Sequence, residues 1–215
     1  INLINRVTKG TYELGSVFKS FTFASALNYD LIKPETEFLN LPKSIMCEKH
    51  RIGEYDDEIP SDLSAEQIII RSGNIGSVRI AQKIGPEKYK SFLEKIGVLS
   101  QISFDIEEVA PQKNYIFGKC KLATASFGHG IATTILQLAK GYSIISNGGF
   151  DIKPTLINKK IQNNKKGIRI LNKGVSAQVV KALRKIVNTE EGTAKFANVP
   201  NYEIGGKTGT ADQPK

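Results

Sequence analysis

Between Ser16 and Leu27 the apolar residues Val17, Phe18, Phe21, Phe23, Ala24, Ala26 and Leu27 fall around most of a helical circumference. Such a distribution predicts a helix enclosed by protein rather than one lying on its surface. Ser64-Ala65-Glu66-Gln67 ahead of Ile68-Ile69-Ile70 has the form of a capping box and predicts a short helix, which Gly73 then turns. Further helices are expected over 75–83 and from Pro86 to about Lys95, ahead of Gly97. Thr133 or Thr134 can cap a helix through Ile135, Leu136, Leu138, Ala139, Tyr142 and Ile145 that ends at Asn147-Gly148-Gly149. Ser176 is expected to cap another from Ala177 to about Val187. The rest predicts extended chain: an approach segment over 1–15, and a long 29–60 connection with a short strand or two. Phe150–Ile157 and Gly167–Asn172 read as weak strands or a hairpin, Tyr202–Thr210 as a strand, and 98–130 as irregular. No repeat or linker divides the chain, so one domain is expected.

At 215 residues the chain can bury one sizeable core, and 40% apolar against 24% charged residues excludes wholesale disorder. The net charge of +9 is spread along the chain or gathered at Lys159, Lys160, Lys165 and Lys166, a tract read as a solvated loop. Without aromatic interleaving or zinc-finger spacing, no nucleic-acid partner is expected. Cys47 and Cys120 form no C-x-x-C motif; a disulfide between them is open, with buried thiols the default. His50 and His129 are too few and too distant to predict a metal site, and no cofactor is called for. No apolar run is long enough to span a membrane, and no leader opens the sequence. The Ile start and the end just beyond a glycine-rich run read as a segment, 1–215, of a longer protein.

The chemistry lies in three short runs: Ser16-Val17-Phe18-Lys19, Ser72-Gly73-Asn74 and Lys207-Thr208-Gly209-Thr210. Serine is a weak nucleophile unless a base stands within hydrogen-bond reach. One helical turn beyond Ser16, Lys19 can be that base if burial and a second cation, Lys207, favour its neutral form. Ser72 can relay a proton between the lysines and a leaving amine, and Asn74 offers both a donor and an acceptor to a peptide-like substrate. Thr208 and Thr210 share one face of a strand, where their hydroxyls and Lys207 make a carboxylate receptor. Gly209 and its neighbours let a substrate backbone lie flat against it. The amides of Ser16 and of a residue on the Lys207 strand can meet a developing oxyanion. Each run is common by itself; their order, each on the expected kind of element, is what makes them informative.

Ser-x-x-Lys, Ser-x-Asn and Lys-Thr-Gly in this order resemble the active-site set of penicillin-binding proteins and serine β-lactamases. Spacings of 56 residues from Ser16 to Ser72 and 135 from Ser72 to Lys207 resemble the transpeptidase domain of class B penicillin-binding proteins, most closely the division-specific penicillin-binding protein 3 type. Asn5-Arg6-Val7-Thr8, Phe127-Gly128-His129-Gly130, Asn147-Gly148-Gly149 and Gly192-Thr193-Ala194 extend the likeness over nearly the whole chain, while Gly73 and Leu14 depart from the usual serine and proline.

The resemblance implies an α+β, β-lactamase-like fold, here mostly its helical part plus the Lys-Thr-Gly strand, with the flanking sheet strands outside this segment. It implies Ser16 as nucleophile, Lys19 as base and Ser72 as relay, with Lys207 and Thr208 assisting the relay and binding carboxylate, Asn74 as a ligand of the stem peptide or of a β-lactam side chain, and the Ser16 and Thr210 amides as oxyanion hole. It further implies cross-linking of D-Ala-D-Ala stem peptides of peptidoglycan and its lipid-linked precursors, acylation by β-lactams, and divisome membrane partners including a glycosyltransferase. A single-pass inner-membrane anchor outside this segment and a periplasmic catalytic domain complete the picture. The alternatives are a serine β-lactamase, for which the Glu-x-x-Leu-Asn expected after the middle motif is lacking, a D,D-carboxypeptidase, or a non-catalytic penicillin-binding sensor.

Overall fold

The structure, a computed structural model, describes residues 4–106, 115–158 and 167–211. Seven helices appear among them: α1 (Lys19–Asn28), α2 (Ala65–Ile70), α3 (Asn74–Ile84), α4 (Pro86–Lys95), α5 (Lys119–Ala125), α6 (Ile135–Ser146) and α7 (Val175–Asn188). Helix α1 is the centre, and every residue from Lys19 to Leu27 is buried. The apolar side chains around its circumference have neighbours on all sides because α2, α3, α4 and α7 surround it. Phe21 meets Phe18 and Tyr142 edge-on, with ring centroids 5.5 and 5.3 Å apart. Hydroxyls enclosed with these rings are satisfied: Thr22 donates to the Ser126 carbonyl at 2.7 Å, and Ser20 lies 2.9 Å from the Tyr142 hydroxyl.

Two capping boxes set helix starts. Ser64 Oγ accepts from the Gln67 amide at 3.2 Å while Gln67 Oε1 accepts from the Ser64 amide at 2.9 Å, opening α2. Thr134 and Gln137 do the same for α6, at 3.1 and 2.8 Å. Thr133 is therefore not the cap; its hydroxyl donates to the Val98 carbonyl at 2.7 Å instead. Nor is Ser176 a cap, contrary to expectation. Helix α7 starts at Val175 after a left-handed Gly174, and the Ser176 hydroxyl donates to the Ile145 carbonyl and accepts from the Gly148 amide at 3.1 Å, tying α7 to the end of α6.

The strands are short and form three antiparallel pairs: β1 (Thr11–Glu13) with β6 (Ala132–Thr134), β2 (Glu37–Phe38) with β5 (Leu63–Ser64), and β3 (Ser44–Cys47) with β4 (His50–Gly53). Three expectations are corrected. Tyr202–Thr210 is extended but belongs to no strand, because among the described residues no ladder partner runs beside it. It rests on α7 instead, where the Gly206 amide donates to the Leu183 carbonyl at 3.1 Å and the Arg184 guanidinium to the Ile204 carbonyl at 2.9 Å. The 98–130 stretch contains α5. Cys47 and Cys120 are joined in a disulfide that fastens the β3–β4 hairpin to α5. Of the expected 150–172 hairpin, one antiparallel bridge, Phe150 to Arg169, is present, and the lysine-rich tract at 159–166 lies outside the described residues.

Candidate active site

Backbone contact brings the first and third motifs together. Gly15–Phe18 forms a 3-10 turn leading into α1, and Gly15 takes a φ of 54°. A Cβ on Gly15 would stand 1.9 Å from the Thr210 carbonyl oxygen, so only glycine admits this approach. A Cβ on Gly209 would likewise meet Val17 Cγ2 at 2.4 Å and the Leu14 carbonyl at 2.8 Å. The 207–210 run thus lies flat on the turn that carries Ser16.

The middle motif enters from the junction of α2 and α3. Ser72 is buried and non-glycine yet has a φ of 58°, a conformation that costs energy and aims its groups at the lysines. Lys19 Nζ donates to the Ser72 carbonyl, to Ser72 Oγ at 3.1 Å and to Asn74 Oδ1 at 2.7 Å. Lys207 Nζ lies 2.7 Å from the same Ser72 hydroxyl and 3.0 Å from the Thr208 carbonyl. Thr208 Oγ1 in turn stands 2.8 Å from Thr193 Oγ1. The expected hydrogen bond from Lys19 to Ser16 is not made, because the three hydrogens of the Lys19 ammonium are matched by three acceptors on Ser72 and Asn74. Ser72 Oγ, with two lone pairs, accepts from both lysines and keeps its own proton to give.

Both amines are depressed. Burial holds the Lys19 amine well below the usual lysine range, the nearby Lys207 cation lowers it further, and the Glu54 carboxylate opposes them. Burial brings Lys207 down to about 7. The shift of Lys19 runs toward its neutral form, the form a base requires.

Ser16, Ser72, Asn74, Thr208 and Thr210 line one cleft of about 750 Å³, with Phe127, Gly128 and His129 also in its lining. Lys19 sits buried beneath it. Two contributors were missed by the sequence reading. Glu54 accepts from the Asn74 amide at 2.6 Å and the Ile75 amide at 2.9 Å, placing a carboxylate at the positive end of α3, and the Gly53 carbonyl accepts from the Asn74 side-chain amide at 2.8 Å. No local pattern marks Glu54, which lies 20 residues from Asn74. Thr193 reaches Thr208 from the loop after α7; the Gly192-Thr193-Ala194 run was its one visible sign. Among the described residues no group of three His, Cys, Asp or Glu is placed to hold a metal ion, and no helix is long and apolar enough to cross a membrane.

Residues 2–215 match the family described as the penicillin binding protein transpeptidase domain. The chain belongs to this family. Among its relatives, the probable peptidoglycan D,D-transpeptidase FtsI of Caulobacter vibrioides is 28% identical over 213 residues, 98% of this chain and 36% of that protein. The probable peptidoglycan D,D-transpeptidase PenA of Neisseria flavescens is 29% identical over 96% of this chain and 51% of its own length. The apo transpeptidase domain of Burkholderia pseudomallei penicillin-binding protein 3 superposes with a TM-score of 0.89 at 27% identity, over 98% of this chain and 63% of that one. This is a class B penicillin-binding transpeptidase domain, related to the division-type penicillin-binding protein 3 and FtsI proteins, with the mixed α+β fold of that group. It spans little more than a third of the length of the Caulobacter relative.

Proposed function

We propose that this chain is part of the transpeptidase domain of a longer peptidoglycan D,D-transpeptidase working through a serine acyl-enzyme. The observation that carries the reading is the convergence of Lys19 and Lys207 on one hydroxyl, Ser72 Oγ, at 3.1 and 2.7 Å, beneath a cleft that also contains Ser16. In this reading a neutral Lys19 takes the Ser16 proton as Ser16 Oγ attacks the carbonyl of a D-Ala-D-Ala stem. Because Lys19 is engaged with Ser72 and Asn74, this transfer needs a small rearrangement of its amine or passage through the Ser72 hydroxyl. The Ser16 and Thr210 amides receive the oxyanion. As the C–N bond breaks, the proton passes by Ser72 to the departing D-Ala amine. Asn74 and Gly209 hold the stem backbone, and Lys207, Thr208 and Thr210 hold its carboxylate.

The acyl group then goes to an amine on a neighbouring stem, and β-lactams acylate the same serine. The family relationship supports a peptidoglycan substrate with its lipid-linked precursors, a periplasmic site, an inner-membrane anchor elsewhere in the protein, and divisome partners including a glycosyltransferase.

The test is mass spectrometry of the full-length protein treated with penicillin. One adduct on Ser16, absent from Ser16→Ala and released over hours, is the expected outcome. Retention of the adduct in Ser16→Ala would refute the assignment, and release within seconds would favour a β-lactamase.

A further inference from the structure

Asn74 depends on a hairpin that has little to hold it in place. The β3–β4 pair is joined by no third strand among the described residues, and a two-stranded hairpin alone is marginal in water. Met46, His50 and Arg51 are exposed, and inward the pair offers only the buried Ile52 and the half-buried Ile45 and Cys47. Yet the end of this hairpin grips the middle motif. The Gly53 carbonyl accepts from the Asn74 side-chain amide at 2.8 Å, and Glu54, the next residue, accepts from the Asn74 backbone amide at 2.6 Å. Asn74 Oδ1 in turn accepts from Lys19 at 2.7 Å. A displacement of the hairpin is thus passed on to the Lys19 amine.

The hairpin's other end is fastened to α5 by the Cys47–Cys120 disulfide. Helix α5 buries Leu122, Ala123 and Ala125 and packs on α3, the helix that Asn74 begins. The bond therefore closes a ring of contacts that runs from α3 through α5 and the hairpin back to Asn74. Both cysteines are half-buried, and with Gly53 and Asn74 they line a pocket of about 550 Å³ that shares Asn74 with the main cleft. A small dithiol can reach the bond there.

We propose that this disulfide positions Asn74, and through it Lys19, for acylation of Ser16, so that the acylation rate depends on the oxidation state of Cys47 and Cys120. The proposal rests on the acyl-transfer reading above. Neither sulfur touches the reacting atoms; both are positioning residues. Opening the bond takes two electrons and two protons from a dithiol, which closes to its own disulfide as Cys47 and Cys120 become thiols. The hairpin then keeps its ladder and loses its tie to α5, and Gly53 and Glu54 are free to shift against Asn74. With the site in the periplasm, as proposed above, the bond is expected to be closed where the enzyme works and open in the reducing compartment where the chain is made.

The experiment measures acylation of the full-length protein by labelled penicillin before and after dithiothreitol, at a temperature below the unfolding transition of both forms. Alkylation followed by mass spectrometry establishes that Cys47 and Cys120 are reduced. Reduction is expected to slow acylation about tenfold while the circular dichroism stays that of the folded protein. The Cys47→Ala, Cys120→Ala double variant should match the reduced protein and be indifferent to dithiothreitol. In Asn74→Ala there is no side chain left to position, so reduction should slow the remaining acylation by about twofold at most. An unchanged rate in protein shown to be reduced overturns the proposal. So does an equal slowing in Asn74→Ala, or a loss of acylation that coincides with unfolding, and each of these spares the acyl-enzyme. Absence of any penicillin adduct on Ser16 in the oxidised protein overturns both.

Discussion

On one side of the cleft, Ser16 and Lys19 belong to a turn and helix enclosed by four other helices, while on the other Lys207–Thr210 is an extended run with no strand beside it among the described residues. The first wall is held by side-chain burial, and an amine embedded in it inherits the low polarity of the core. Backbone shape holds the second: Gly209 lies against Val17, and Thr210 against Gly15. Desolvation that perturbs Lys19 is thus a property of the core, whereas the cation that perturbs it further arrives on a segment located by two glycine contacts. Breaking each wall should accordingly give a different signature.

Lys19→Met should have the largest effect. We predict acylation by penicillin to fall by about 10²–10⁴, the usual contribution of a general base. The melting temperature should fall as well, since the Ser72 carbonyl, Ser72 Oγ and Asn74 Oδ1 lose their buried donor, so the acylation rate is read below the unfolding transition. A variant acylated at the normal rate would remove Lys19 from the base role. Phe21→Ala, in the same wall, should reduce stability by about 3–5 kcal/mol in denaturant titration, because the ring is fully buried between Phe18 and Tyr142. A loss under about 1 kcal/mol would mean that the helix wall is not held by its core.

The opposite wall should respond through activity. Gly209→Val drives a side chain into Val17 and the Leu14 carbonyl, a strain of about 1–3 kcal/mol. We predict a fall in acylation of about tenfold or more, with the unfolding midpoint less affected than by Phe21→Ala. Equal acylation would show that the flat contact does not position Lys207. The smallest effect is expected from Ser64→Ala, which removes the cap of α2 at a cost of about 1 kcal/mol and leaves the acylation rate close to normal.

Legibility in the sequence divides along the same line. The buried character of α1, the α2 capping box and the Pro86 start of α4 are local signals. These elements form as expected, except that Ser16 does not open α1, which begins at Lys19 behind the 3-10 turn of Gly15–Phe18. What escaped is non-local. The glycine-rich 202–210 run predicts a strand, yet strands need partners, and a single run of residues cannot reveal that none is beside it among the described residues. Helix α5, with seven residues behind Gly118, is too short for periodicity to establish. The Cys47–Cys120 bond joins residues 73 apart, and Glu54 reaches α3 across 20. Of the site, the sequence shows the residue types and their order. It does not show that Lys19 faces Ser72 and Asn74 rather than Ser16, because this depends on the left-handed turn at Ser72.

The central claim is that Lys19 and Lys207 act as one coupled pair across Ser72, and the acylation rate as a function of pH tests it most directly. In the proposed mechanism Lys19 accepts the Ser16 proton only when neutral, so the rate is predicted to rise as its amine deprotonates; Lys207 holds a carboxylate only when charged, so the rate is predicted to decline as it loses its proton near pH 7. The charged groups acting on Lys19 are Lys207, which lowers its affinity for protons, and Glu54, which raises it. In the full-length Lys207→Gln protein the first of these is gone. The acidic limb of the profile for a labelled penicillin should then move to higher pH and the alkaline decline should disappear; a limb that stays in place would contradict the coupling.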